Sequence, residues 1–428
     1  MSQLGILYQY EIKKILKRKM FWIAFCWVML IIVFLCFEPL LDHYTRFDAL
    51  TGETVRTTKY NYVMERQEQA ERLNGRMIDD TLLQEMQEAY VGVHTGEKVV
   101  EDNSILSQTS TATVTTTGIF SDEGTEEEWR KHIEQMIQYE AIYNYVRQLV
   151  GNERVHSVNS ADFYGERQQQ VEDYERNLYL TEGEKTYWRK HEVQTPYVYY
   201  WDMGPSMMLS SVKTILALTA LMIGMVFSGV FADERMRKTD QLVLCSRYGR
   251  RTLYLAKLLA ATTLGTVVTF LVSGTAMLSF WVLYGYDKNW NAPLQVYLPS
   301  SPFALTMGET IVILMVLLLL SAALHSVLTL VLSGLTKSGV ATISLMVVYI
   351  LGTMVINVPE RLRFLSQCLY LTPAKLVRVS ALCDTRLLGG AGHYLTCWQT
   401  GMILYPLLTL ALALLGGLIY RRWQISGR

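Results

Sequence analysis

Two long apolar runs, residues 214–232 and 258–286, contain no charged side chain, and a charged stretch joins them, FADERMRKTDQLVLCSRYGRRTLYLAK at 231–257. At about 1.5 Å of rise per helical residue, runs of this length cover the roughly 30 Å of bilayer hydrocarbon. Both are therefore read as membrane spans. The joining stretch sets Arg235, Arg237, Lys238, Arg247, Arg250, Arg251 and Lys257 against Asp233, Glu234 and Asp240. An excess of Lys and Arg in a short loop marks the cytoplasmic face, so this loop is expected inside.

Order within the loop carries more information than charge. Glu234 comes directly after the span, an apolar patch of Leu242, Val243 and Leu244 follows, and Ser246, Arg247 and further basic residues lead to Lys257. This arrangement suits a short amphipathic helix at the membrane face that offers a docking surface to a cytosolic partner. A plain topology signal would carry the same charges. The loop resembles the first intracellular loop of ABC type-2 transporter permeases. There the usual pattern is Phe-x-x-Glu, a Gly-Thr pair, a leucine-rich turn, Pro-x-Ser-Arg and a Gly-Lys opening the next helix. Phe231, Glu234, Thr239, Leu242, Leu244, Ser246, Arg247 and Lys257 match it, whereas Lys238 replaces the glycine, Cys245 stands near the proline and Ala256 precedes the lysine.

The formal net charge of the 428 residues is zero, but the charge is unevenly placed: residues 42–206 hold 30 of the 39 acidic side chains and 16 of the 39 basic ones. An acidic block thus sits in a basic frame. At the N-terminus, Leu4, Leu7, Ile12, Ile15 and Leu16 recur at helical spacing and Lys13, Lys14, Lys17, Arg18 and Lys19 crowd the far end. That pattern predicts a helix along the inner leaflet with its cations near anionic headgroups, or a basic topology signal with no fixed helix. It resembles the lateral helix that precedes the first span in the same family. The first span is expected at 21–37, ended by Glu38 and Pro39, and later spans at 214–232 (beginning near Met207), 258–286, 310–336, 340–357 and 398–420, the last with Pro406 placed to kink it. Sixteen basic residues on the inner segments against six on the short outer ones put both termini in the cytoplasm, in a multi-pass plasma-membrane protein.

Residues 42–206 would then form an extracellular, mainly helical, acidic domain. Helices are expected at 60–75 and 79–90, with an apolar seam of Val63, Ala70, Leu73, Leu82, Leu83 and Met86, and at 162–179. Thr125 to Glu128 fits a capping box opening a helix to Val150, whose stripe is Ile133, Met136, Ile137, Ile142, Tyr145, Val146 and Leu149, and a shorter helix starts at Thr181. The Ser/Thr-rich stretch 103–124 reads as a loop or a short strand pair. The block contains no cysteine, so apolar packing must hold it. Tyr197, Tyr199, Tyr200 and Trp201 lie just before the second span, where an interfacial aromatic belt or a surface facing departing substrate are both consistent readings. Residues 361–396, with apolar patches at Leu369-Tyr370-Leu371 and Leu387-Leu388, resemble the extracellular helical hairpin of type-2 permeases. The expected fold is an all-α polytopic membrane protein: 1–41, interfacial helix and first span; 42–206, extracellular domain; 207–428, five further spans with a coupling loop at 232–257 and a hairpin at 358–397.

No stretch matches Gly-x-x-x-x-Gly-Lys-Ser/Thr, the six cysteines show no Cys-x-x-Cys pair, the seven histidines form no His-Glu-x-x-His, and no glycine-framed nucleophile is present. No metal, cofactor or catalytic site is therefore expected, and no nucleic-acid partner. Ionisable groups in spans are the remaining candidates: His325 near the middle of the fourth span, functional or simply hydrogen-bonded to a neighbouring helix, and Glu309 at its outer end, which could also reach the headgroups. The resemblance implies an exporter subunit, a homodimer or a pair with a sister permease, in contact with membrane lipids and bound to cytosolic ATPase subunits that use ATP and Mg. The region 234–247 would form the coupling surface. The implied cargo is a lipid, peptide, antibiotic or polysaccharide. A sensor or immunity protein whose acidic domain binds a cationic peptide is the alternative, and a polytopic membrane enzyme comes third.

Overall fold

The computed structural model describes residues 3–47, 54–90, 126–190, 198–236, 239, 251–285, 289–298, 301–336, 338–390 and 393–421. The chain divides into two compact units: residues 1–36, 173–194 and 202–428 form the first, and 37–172 with 195–201 the second. The described residues 173–190, counted with the acidic block by sequence, group with the spans.

In the first unit, α1 (Gln3–Leu16) is a helix of its own, separated by a short turn from α2 (Lys19–Leu41). Contrary to expectation, α2 does not stop at Glu38 and Pro39 but runs through them to Leu41. So close to the helix end, the missing proline N–H removes one bond that little further helix depends on. Among the described residues five helices are long and apolar enough to cross a membrane: Lys19–Leu41, Met203–Met236, Thr252–Tyr284, Met307–Thr336 and Cys397–Arg421. The remaining expected span is a shorter apolar helix, Gly339–Val355, whose 17 residues extend about 25 Å at the helical rise. An all-α polytopic membrane architecture follows, decorated by two short two-stranded ribbons.

The second unit holds β1 (His43–Phe47) and β2 (Thr54–Thr58), an antiparallel pair in which His43 faces Thr58 and Phe47 faces Thr54. They lead into α3 (Lys59–Glu71), α4 (Asp80–Ala89), α5 (Glu126–Val150) and most of α6 (Ser160–Asn177). Asp79 caps α4 by accepting from the Leu82 amide at 2.9 Å. The expected seam is buried throughout, and Ile142, Val146 and Phe163 complete the core. Tyr143, absent from the expected stripe, is buried and stacks on Tyr90 with ring centroids 3.9 Å apart. Thr125, Leu242 and the 103–124 stretch lie outside the described residues.

Back in the first unit come α7 (Glu182–Lys190), α8 (Met203–Phe227), α9 (Gly229–Met236), α10 (Thr252–Tyr284), α11 (Met307–Thr336) and α12 (Gly339–Val355). The expected 358–397 hairpin is only partly helical: α13 (Arg363–Tyr370) and α14 (Pro373–Leu376) are followed by a 3-10 turn and the β3–β4 ribbon (Leu388–Gly390 with His393–Leu395). Pro373 and the glycines at 389 and 390 break helical continuity there. The chain closes with α15 (Cys397–Arg421), which contains Pro406.

Helix α11 is the hub, packing on α8, α10 and α15, while α12 packs on α8 and α1 on α10. Its inward stripe of Thr310, Ser321, His325, Ser326, Thr329 and Ser333 is almost fully buried. Small polar side chains let helices approach closely in lipid, where apolar burial alone gives no drive to associate. Apart from that of Ser333, their hydroxyls bond back along the chain of α11 itself, Ser321 to the Leu318 carbonyl at 2.7 Å and Thr329 to that of His325 at 2.7 Å. Gly265 of α10 faces Ser326 so closely that any Cβ there would collide with its hydroxyl, and Phe227 and Ile223 of α8 close the other side. A side chain at Gly265 must push three helices apart. Gly265→Val is expected to destabilise the purified chain by about 1–3 kcal/mol, read as a lower thermal-unfolding midpoint in detergent. Gly274→Ala on the same helix, with open space around its Cβ, should leave that midpoint within a degree or so of wild type.

Candidate functional site

The residues singled out in the charged loop divide at once into two groups. Leu242, Leu244, Ser246 and Arg247 lie outside the described residues. Phe231, Glu234 and Lys257 are brought together, and they face inward.

Helix α9 continues α8 after Ser228, whose carbonyl accepts from Ser333 Oγ of α11. The Ser333 oxygen in turn accepts from the Phe231 and Ala232 amides at 3.3 and 3.2 Å. One serine thus satisfies two amides at the start of α9, where helical partners are missing. The turn directs Phe231 into a cluster with Tyr254 and Tyr420, centroids 6.3 and 5.4 Å away, and Tyr254 donates to the Ala413 carbonyl of α15 at 2.6 Å. Helix α9, the start of α10 and the ends of α11 and α15 therefore share one aromatic and hydrogen-bonded knot.

One turn further, the Glu234 carboxylate receives two ammoniums. Lys257 Nζ of α10 lies 2.5 Å from Oε1 and Lys14 Nζ of α1 lies 2.6 Å from the same oxygen. Glu11 of α1 completes the group, 3.6 Å from Lys257 and 3.8 Å from Lys14. The Lys257 side chain has no exposed surface, and Glu234 is 13% exposed. Lys257 also sits 5.3 Å from the Phe231 ring centroid, on the ring's electron-rich face. At the edge, Arg18 reaches Asp233 at 3.3 Å. Two carboxylates and two ammoniums make a locally neutral quartet, which is the condition under which buried charge is tolerated. Burial draws the Lys14 ammonium downward, but the bond to Glu234 and its charge outweigh that and leave the pKa above the ordinary lysine value.

This quartet was only half visible in the sequence. Glu234 and Lys257 belong to the loop pattern, whereas Glu11 and Lys14 emerge from the fold. A signal existed: Glu11 is a lone carboxylate four residues before Ile15 on the helix face that turns inward, in a terminus otherwise crowded with lysines.

The remaining candidates have other settings. Glu309 is exposed and accepts from the amide and hydroxyl of Thr306 at 2.9 and 3.1 Å, while its own amide donates to Thr306 Oγ1 at 3.2 Å. That is a capping box at the start of α11. His325 is buried, with Nδ1 donating to the Ser321 carbonyl at 2.7 Å and its ring 5.9 Å from that of Tyr349. Tyr199 lies in the core of the second unit, where its amide and carbonyl bond to Arg76 and Gly75 at 2.8 and 2.9 Å, and Trp201 packs against that core. Tyr200 stands beside Gly75. Among the described residues no group of His, Cys, Asp and Glu is arranged to hold a metal.

Residues 6–414 match the family model described as ABC-2 family transporter protein. No curated protein and no solved structure matches the chain.

Removing one ion from a neutral buried group leaves the others uncompensated, which typically costs about 3–5 kcal/mol. Lys257→Met is expected to destabilise the protein by that order, seen in its thermal-unfolding midpoint. Adding Glu234→Gln should recover part of the loss, and a double-mutant cycle with no coupling between the two positions would contradict the quartet.

Proposed function

Because the chain belongs to the ABC-2 family of transporter proteins, and is thus a multi-pass membrane subunit of an ATP-binding-cassette transporter rather than its ATPase, we propose that it is the permease of an exporter. On this reading two copies, or this chain with a sister permease, sit in the plasma membrane with both termini in the cytoplasm. Residues 42–206 are extracellular, and two cytosolic ATPase subunits supply ATP and Mg. The cargo class is a lipid, peptide, antibiotic or polysaccharide moved outward.

The observation that carries the reading is the buried quartet. A partner can shift the balance between two states only by its difference in affinity for them. Its contact must therefore lie on an element firmly joined to the spans. The loop follows α9 in the chain, and Glu234 in the last turn of α9 is ion-paired to both α1 and α10. Force applied at Leu242, Leu244, Ser246 and Arg247 would pass through this joint to two long helices and to α1 together. In this division of labour Glu234 and Lys257 position the loop, and the loop beyond them meets the ATPase. His325 stays a candidate on the substrate path through its place in the polar stripe of α11.

Two experiments test this. Affinity purification of the full chain from its native membrane is expected to bring down an ATP-hydrolysing subunit in stoichiometric amount. A kinase in its place would favour a sensor that binds cationic peptides. Arg247→Ala and Glu234→Ala are each expected to leave membrane insertion intact and to uncouple ATP hydrolysis from transport. If hydrolysis and transport were both unchanged in the two variants, the loop would not be the coupling surface.

A further inference from the structure

Among the described residues Lys375 and Arg378 are cations without a counter-ion. Lys375 of α14 is 6% exposed, and its ammonium donates to the side-chain oxygen of Asn357 at 2.7 Å. Arg378, three residues on, folds back over α14, with Nε and Nη2 donating to the Ala374 carbonyl at 3.2 and 2.6 Å. Both acceptors are neutral, and among the described residues neither cation is ion-paired to a carboxylate. Arg386, in the same part of the chain, shows the contrast: it has no exposed surface and lies 2.6 Å from Asp384 and 2.5 Å from Glu360. Burial and the like charge of Arg378 hold the Lys375 ammonium below the ordinary lysine value. An ammonium carries three donors and a guanidinium five, so both groups keep donors for another acceptor.

The surroundings point to what that acceptor is. Helix α14 packs on α8, α11, α12 and α15, and its Leu376 meets Gly401, about 6 Å into α15 at the helical rise. A headgroup layer is about as thick, so α14 lies where phosphates meet acyl chains. Val355 and Ile356 at the end of α12, with Leu362, Phe364 and Leu365 at the start of α13, are each more than half exposed. A lysine that merely snorkels ends in water, and one that only packs needs no charge. An uncompensated cation at this depth is costly unless an anion joins it. A zwitterionic headgroup brings its own ammonium, which two cations repel. We propose that Lys375 and Arg378 hold the phosphate of an anionic phospholipid whose acyl chains lie against that apolar surface. Arg378 offers a planar fork of donors and Lys375 a point charge, two complementary ways of binding a phosphate. The inference takes from the exporter reading only the leaflet, the outer one. Binding of the phosphate is independent of cargo, ATPase and orientation.

The full-length protein is purified, delipidated in detergent, and titrated with phosphatidylglycerol, phosphatidylcholine of the same acyl chains, or inorganic phosphate. Bound adducts are counted by native mass spectrometry, and unfolding temperatures are measured alongside. Wild type should bind phosphatidylglycerol at least about tenfold more tightly than phosphatidylcholine, a ratio that one charge-assisted hydrogen bond supplies. Lys375→Met and Arg378→Gln should each weaken phosphatidylglycerol about tenfold, and together erase the preference. Arg361→Gln, at an exposed cation of the same stretch, should match wild type. Without lipid, Lys375→Met should unfold no lower than wild type, because it removes an uncompensated cation; with phosphatidylglycerol the order should reverse. A residue with a packing role alone gives no such reversal. Were Lys375→Met not to fold, Arg378→Gln carries the same affinity test. Equal affinity of wild type for the two lipids would overturn the proposal, and so would an equal loss in Arg361→Gln, the mark of diffuse attraction. A preference that neither variant moves would put the lipid elsewhere and overturn the site. Inorganic phosphate binding as tightly as phosphatidylglycerol would overturn the lipid as occupant in favour of a free anion. The predicted preference in a chain that purifies without any ATPase would refute the exporter reading and support the site.

Discussion

An ammonium with no exposed surface, Lys257, is tolerable in the first turns of α10 only because Glu234 lies 2.5 Å away and Glu11 3.6 Å away. The desolvation of each ion costs several kcal/mol, and only mutual attraction with good geometry offsets it. This constraint orders that end of the bundle. It requires α9 to turn so that Glu234 points into the bundle, and it recruits α1 through Lys14. Tyr254, Phe231 and Tyr420 reinforce the same end with rings that pack as well as shield.

The bundle beyond this end has a different cohesion. Helix α11 presents hydroxyls and one imidazole to its neighbours, and the hydroxyls of Ser321, Ser326 and Thr329 are already satisfied by their own helix. Close approach, as at Gly265 against Ser326, then supplies dispersion without leaving polar atoms bare. Among the described residues the buried ion pairs of the bundle lie at its two ends. The interior can therefore slide or repack without breaking an ion pair, whereas either end must break several at once.

Much of this was legible in the sequence, for reasons that are local. Hydropathy located the long helices because a span must satisfy its backbone internally. The amphipathic pattern located α1, and the Thr181 motif located the start of α7. The apolar seam of α3 and α4 followed from helical periodicity. The illegible parts depend on partners far along the chain. Glu234 reads as a surface carboxylate until Lys14, 220 positions away, is known to meet it. Tyr199 reads as a headgroup ring, yet its backbone pairs with Gly75 and Arg76. Glu309 reads as a charge in a span because its partner is a threonine three residues earlier, which hydropathy does not weigh. Segment 358–397 resembles a helical hairpin by its apolar patches, but proline and paired glycines give it two short helices and a ribbon.

The Glu184 carboxylate has two occupations. It closes the capping box of α7, taking the Thr181 amide at 2.8 Å, and it holds the Leu387 amide, 203 positions further on. Fraying of the first turn of α7 and detachment of a strand near the end of the chain are consequently one event rather than two. Selection acting on how readily that turn begins would also set how firmly the distant strand is moored, and neither property can drift without carrying the other along.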